Sequence, residues 1–377
     1  MLNTLLAYTS LLLTSMPQPK TDTTGNESFL LIGTYTKTAD QGINVYAFNN
    51  VTGTLRFVSI AKDVDNPSYM VIAPDKKHVY AVNEGKTGGV SAFDWDTTTG
   101  QLNFLNKQSS GGETPCYVNT DQDGKYVIVG NYGGGSFSVL PVKEDGRIDA
   151  PVQTIEHTGS GANKERQEKP HVHCVVFSPD HQFLYVSDLG IDQVAIYTYQ
   201  QGDVQPLVPA TPGFAPLAPG SGPRHLVFHP NGKWVYLIQE LDGKITAFNY
   251  KKGALIGFQE ISTLPEQFKG QISGADIHTS PDGKFLYASN RGSLNNIVIY
   301  SIDQKNGHLV KKGQQSSGGK TPRNFMIDPS GNFLLVANQQ TDNVVVFKRN
   351  KITGLLKPTK QEIKVLAPVC LKMIGSN

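Results

Sequence analysis

The chain alternates between short apolar runs and polar turns, with no sustained helical period after its first segment. A typical unit opens on Pro or a small residue and runs through an apolar segment to a Pro-Asp-Gly-Lys-like turn. It returns through a second apolar segment that ends on a polar residue. Short apolar runs bounded by turn formers read as strands, and the tight turn between them makes each pair a hairpin. A short loop, an alternating segment and often a Thr-Gly-x-Leu turn follow. The copies are PSYMVIAPDKKHVYAVNE from Pro67, PCYVNTDQDGKYVIVGNY from Pro115, HVHCVVFSPDHQFLYVSDL from His171, PRHLVFHPNGKWVYLIQE from Pro223, GADIHTSPDGKFLYASNR from Gly274 and PRNFMIDPSGNFLLVANQ from Pro322.

Their second strands end at Asn83, Asn131, Asp188, Gln239, Asn290 and Asn338, in steps of 48 to 57 residues. That period fits a four-stranded propeller blade. Two remnants are left over. FLLIGTYT (Phe29 to Thr36) matches a second strand without a first, and PVCLKMI (Pro368 to Ile374) matches a first strand without a second. Joined, they complete a seventh blade whose inner strand comes from the C-terminus, which removes an exposed sheet edge. The sequence therefore predicts an all-β, seven-bladed β-propeller over residues 28–377.

In such a blade the start of the inner strand and the end of the second strand face the same mouth of the channel. Counting from the Pro of each turn or its equivalent, the sixth residue before it is Ser68, Cys116, His173, Arg224, Ala275 or Arg323. The tenth after it is Glu84, Tyr132, Leu189, Glu240, Arg291 or Gln339. A plain hairpin makes these two positions cross-strand neighbours. The turns are nearly uniform between copies, whereas these mouth positions diverge into charged residues. Divergence at one end of a uniform scaffold fits a grafted site. It also fits a set of ion pairs lining a wet channel, with Arg224 and Glu240 a cross-strand salt bridge.

Composition narrows the partners. The net charge of +2 favours neither nucleic acid nor an anionic membrane surface. Cys116, Cys174 and Cys370 have no CxxC spacing, so they read as small apolar residues. His171 and His173 form a His-x-His pair, with His225 and His229 further on, but spacing identifies no third ligand. No metal or other cofactor is expected. Asp188 and Asp192 in DLGID could hold a cation with carbonyl oxygens, but a solvated turn is the preferred reading. His225 follows Arg224 and either orients it or fills the core. Asn131 and Tyr132 are candidate substrate contacts. The polar insert His157 to Lys169 enters the mouth just before His173 and reads as a lid or a plain long loop. At the N-terminus, apolar Leu5 to Leu13 and polar Pro17 to Asn26 suggest a signal peptide and spacer over residues 1–27. The basic leader region is missing, so a cytoplasmic protein is the alternative. No later segment reaches the ~20 apolar residues of a membrane span, and a monomer is expected.

PRHLVFHPNGKWVYLIQE, GSGANKERQEKPHVHCVVFSPD, VSDLGIDQVAIY and YASNRG together resemble the lactonase family of seven-bladed propellers. The family includes bacterial propeller-type 6-phosphogluconolactonases and fungal 3-carboxy-cis,cis-muconate lactonizing enzymes. The resemblance runs from Phe29 to Ile374. It implies a catalytic set of one His, two Arg and one Glu, carried here by His173, Arg224, Arg291 and Glu240. All four already lie among the mouth positions. From their own positions, not the resemblance, Arg323, Glu84, Asn131, Tyr132 and His225 are candidate substrate contacts; Arg323 otherwise reads as a turn-stabilising surface residue, and Glu84, which matches no catalytic position of the family, as channel lining. The implied reaction is hydrolysis of a sugar lactone, 6-phosphogluconolactone first, with His173 as base or acid and Glu240 as orienter or second base. An exported protein would sooner meet another sugar lactone. A carboxymuconate-type cycloisomerase and a non-catalytic binding propeller are the competing readings.

Overall fold

The computed structural model describes residues 26–38, 41–62 and 64–375. Among these residues twenty-eight strands build seven four-stranded antiparallel sheets, with no α-helix. The leader expected over residues 1–27 falls almost wholly outside them. The first strand, Glu27–Thr34, already belongs to the propeller. No helix of the described residues is long and apolar enough to cross a membrane.

The innermost strands of the seven blades are Met70–Ile72, Pro115–Thr120, Val172–Phe177, Pro223–Phe228, Gly274–Thr279, Pro322–Ile327 and Pro368–Gly375. Neighbouring inner strands touch all the way round, closing the ring. The closing blade is assembled as the remnants require. Pro368–Gly375 pairs with Glu27–Thr34, Leu31 opposite Lys372, and the sheet continues through Ile43–Asn49 and Leu55–Ala61.

Adjacent blades are joined by a repeated device that the sequence motif encodes. In four blades the second strand begins with an aromatic ring, His78, Phe183, Trp234 or Phe285, and two residues later carries a buried Tyr. Tyr236 donates its hydroxyl to the carbonyl of Gly307 at 2.8 Å, and Tyr287 to that of Gly354 at 2.7 Å. Tyr80 and Tyr185 make the same bond to Gly146 and Gly253. Each acceptor glycine lies in the turn between the third and fourth strands of the next blade. That turn needs a left-handed residue: Gly307 has φ +79°. It also packs on the aromatic starter, so a Cβ at Gly307 would lie 2.6 Å from the Trp234 ring. Three joints depart from the pattern: Tyr126 donates instead to the carbonyl of Asp203 at 2.9 Å, and Phe333–Asn338 and Glu27–Thr34 carry Leu335 and Leu31 where the Tyr would stand.

The inner strands are not plain ladders. Each of six carries a register shift near its start, between Pro115 and Tyr117, Val172 and Cys174, Pro223 and His225, Gly274 and Ile277, Pro322 and Asn324, and Pro368 and Cys370. The expected cross-strand pairing of the two mouth positions is therefore corrected. Pro223, not Arg224, faces Gln239, and Arg224 is the extra residue of a β-bulge. A bulge places two residues against one and re-aims the extra side chain. Cys116, His173, Arg224 and Arg323 are all such residues.

The Gly307→Ala variant should combine left-handed strain with a clash on Trp234, losing about 2–4 kcal/mol of stability. Calorimetry should show a lower melting temperature, with no change in which ligands the folded protein binds.

Candidate active site

The bulged side chains His173, Arg224 and Arg323 line one cavity at the channel mouth, together with Ser68, Cys116 and Val369. Tyr69 and His225 line the same cavity from below and also line the cavity at the opposite end. There Tyr69 stacks on Tyr117 with ring centroids 4.0 Å apart, and both rings meet His225 edge-on. This aromatic layer stands between the mouth cavity, or cup, and the cavity at the opposite end.

Behind the Arg224 guanidinium of the cup lies its carboxylate partner, Glu240, only 5% exposed. Its backbone N–H donates to Gly222 at 2.7 Å, which fixes the strand end. Arg224 Nε donates to its Oε2 at 2.9 Å, and Arg291 Nη2 lies 2.8 Å from the same oxygen. Arg166 Nη2 donates to Oε1 at 2.6 Å. Burial opposes ionisation of this carboxyl, but Arg291, Arg224 and Arg166 outweigh it and hold it far below the usual carboxylate range. An anion so stabilised is a poor proton acceptor and a good organiser of guanidiniums.

Arg224 is 1% exposed. Its Nη1 donates to the carbonyl of Ala275 and lies 3.3 Å from His225 Nε2. His225 Nδ1 is 2.8 Å from Asp276 Oδ1. The Asp276 carboxylate, which is buried, can only accept, so it fixes the proton on Nδ1 and leaves the Nε2 lone pair to Arg224. Asp276 is itself held by His278 Nε2 at 2.9 Å, Asn324 Nδ2 at 2.5 Å and the Phe325 N–H. His225 is pushed down to about 4, first by burial and then by Arg224, against the pull of Asp276. Arg291 Nη2 also donates to the carbonyl of Gly274 at 3.1 Å. Its Nε is buried and has no hydrogen-bond partner among the described residues.

His173 is 4% exposed, with Nδ1 3.8 Å from Cys116 Sγ and its ring edge-on to Tyr132 and His225. Burial, then the charge of Arg224, with that of Arg323 behind it, hold its imidazole neutral well below the ordinary histidine range. Across the cup, Tyr35 donates its hydroxyl to Glu84 Oε2 at 2.9 Å. Arg323 lies 3.9 Å from the same oxygen, over the Tyr35 ring. The structure thus brings together His173, Glu240, Arg224, Arg291, Arg323, Glu84, Tyr132 and His225.

Asn131 is spent elsewhere. It is fully buried, and its amide donates to the carbonyl of Ser110 and to Ser136 Oγ within its own blade region. His171 stacks on Tyr132 and bonds its carbonyl, which buttresses that ring. His229 caps a turn far from the cup, with Nε2 on the carbonyl of Gly283. The two aspartates of DLGID are filled by protein donors. Asp188 accepts from the N–H groups of His171 and Gly190 and from His157. Asp192 accepts from Gly220, Ser221, Gly222 and Gln167. No group of three or more His, Cys, Asp or Glu side chains among the described residues could hold a metal ion.

Three residues bonded to the site's side chains were not found from the sequence: Tyr35, Arg166 and Asp276. Tyr35 follows the last residue of Glu27–Thr34, the place Glu240 takes after Trp234–Gln239. The remnant blade lacks the Pro from which the other mouth positions were counted. Arg166 sits in the insert and obeys no repeat.

A β-propeller with a buried, arginine-lined cup at one mouth of its channel is thus defined by its own geometry. Against known families, residues 29–373 match the model of the lactonases with a seven-bladed β-propeller, and the chain belongs to that family. The 6-phosphogluconolactonase of Bacillus subtilis (strain 168) is 36% identical over 346 residues, 91% of this chain and 97% of that protein. The 6-phosphogluconolactonase of Formosa agariphila is 38% identical over 349 residues, 91% and 99% of the two chains. Among solved structures, the Pseudomonas aeruginosa periplasmic gluconolactonase superposes with a TM-score of 0.89 at 35% identity, covering 93% of this chain and all of that one (100%).

The two buried imidazoles set an acid sensitivity. Unfolding returns His225 to about 6.5, so the unfolded chain binds more protons below that pH and stability falls as pH drops toward 4. For His225 alone the loss should reach about 2 kcal/mol by pH 5. The melting temperature should fall between pH 7 and pH 5, and less so in His225→Gln. A melting temperature flat over that range would refute the neutral assignment.

Proposed function

We propose that this protein hydrolyses a sugar lactone in the cup, with 6-phosphogluconolactone, opened to 6-phosphogluconate, as the best-matched substrate. The observation that carries the reading is the pair Arg224 and Arg291, locked on one oxygen of a buried carboxylate beside a neutral imidazole. Close relatives named 6-phosphogluconolactonase, and a structural neighbour named gluconolactonase, support the substrate class.

Hydrolysis forms a bond from water oxygen to the lactone carbonyl carbon, and then breaks the ring C–O bond. The negative charge that develops on the carbonyl oxygen needs fixed donors in a site poor in water. Arg224 and Arg291 supply them. Glu240 holds both planes in place. His173, neutral and so able to accept, takes the proton of the attacking water and returns it to the ring oxygen as it leaves. Its depressed pKa keeps it in the accepting form through mildly acidic pH. Glu240, clamped by three cations, orients and does not take the proton. The His225–Asp276 pair sets the Arg224 guanidinium from behind.

The test is hydrolysis of 6-phosphoglucono-δ-lactone and glucono-δ-lactone, with spontaneous opening subtracted. Wild type should open the phosphorylated lactone rapidly. Arg291→Ala and His173→Ala should each lose roughly 100-fold or more of kcat/KM. The acid limb of the wild-type profile should lie below pH 6.5. No rate above background on either lactone would sink the reading, and an active His173→Ala would remove that residue from the base role.

A further inference from the structure

Arg166 is the one cation of the cup that the propeller scaffold does not carry. It belongs to the insert between His157 and Lys169, and its side chain is 43% exposed, against 1% for Arg224 and 12% for Arg291. The backbone beneath it is fixed. Gln167 is fully buried, and its amide donates to the carbonyl of Leu189 and to Asp192 Oδ1, both at 2.8 Å. Its Oε1 accepts from the Asn163 N–H at 2.9 Å. The Arg166 N–H donates to Asn163 as well. The insert is thus a rigid arm that carries a solvent-facing guanidinium over the mouth.

The two oxygens of Glu240 are not equivalent. Oε2 is held by Arg224 and Arg291, while Oε1 is held at 2.6 Å by Arg166. The remaining bond of Arg166 is a long one to Tyr132 Oη, at 3.4 Å. If Arg166 turned away, Glu240 would keep two cationic partners and stay ionised. Arg166 would carry its charge to whatever anion replaced Glu240. The cup also has positive charge to spare, since Arg166, Arg224, Arg291 and Arg323 face only Glu84 and Glu240.

We infer that Arg166 is the specificity residue for a dianionic substituent of the substrate. A phosphate entering the mouth takes the Arg166 guanidinium from Glu240 Oε1, and the freed oxygen then accepts a hydrogen bond from the attacking water. No bond is made or broken in this exchange, and no proton changes owner. The phosphate therefore does more than anchor the sugar. Binding it completes the orienting oxygen, so part of the energy of a non-reacting group appears as turnover. The inference rests on the lactonase reading and names the part of the cup that tells a phosphorylated lactone from a plain one.

The experiment compares wild type, Arg166→Gln and Arg166→Lys on 6-phosphoglucono-δ-lactone and glucono-δ-lactone, with and without phosphite as a free dianion. A charge-assisted hydrogen bond to one guanidinium corresponds to about 10- to 100-fold. The ratio of kcat/KM for the phosphorylated over the plain lactone should fall by that factor in Arg166→Gln and be partly kept in Arg166→Lys. Phosphite should raise wild-type turnover of the plain lactone and leave that of Arg166→Gln unchanged. A ratio unaltered in Arg166→Gln, or both substrates losing rate equally, would overturn the inference while the lactonase reading stands. A wild type that opens neither lactone would overturn both.

Discussion

The site depends on keeping one carboxylate charged where water hardly reaches. Glu240 meets this with three guanidiniums, each from a different element: Arg224 from an inner-strand bulge, Arg291 from the end of a second strand in the next blade, and Arg166 from the insert. A buried ion pair is weak evidence for stability, because desolvation offsets much of the attraction. Its value here is positional. Removing the carboxylate would leave cations buried without a counter-charge, and removing either scaffold arginine would leave the anion short of one. The arrangement is locked because each member is costly without the others.

The propeller supplies what that lock needs. Tyrosine-to-glycine bonds and aromatic-on-glycine contacts repeat around the ring and fix the angle between blades. The bulges repeat too, but their residues do not, so one backbone event aims a thiol, an imidazole or a guanidinium into the same cavity. Uniform joints and divergent bulges divide the labour between fold and chemistry. The Tyr69, Tyr117 and His225 layer then stands between the charged cavity and the one at the opposite end.

The repeat made the ring and its closure legible from sequence, because each blade spells the same hairpin and the two remnants are complementary. The charged mouth positions were legible for the same reason, since a conserved frame exposes what departs from it. Pairwise contact was less legible. A bulge adds a residue without changing the hydrophobic pattern, so Arg224 was expected opposite Glu240 and lies beside it instead. Arg166 was invisible because an insert has no frame to be counted against. Asp276 was hidden in an apolar-looking strand start, and its role depends on a histidine one blade away. Asn131 stands at a strand end, where amides usually serve turns, and its amide bonds Ser110 and Ser136.

The most direct test of the account is a crystal structure with 6-phosphogluconate, the product of the proposed reaction, bound to the wild-type protein. The account places the product carboxylate against Arg224 and Arg291 beside His173, with the phosphate toward the insert. Product bound instead in the cavity at the far end of the channel, near His278 and Lys372, or with its carboxylate turned away from the arginine pair, would contradict it.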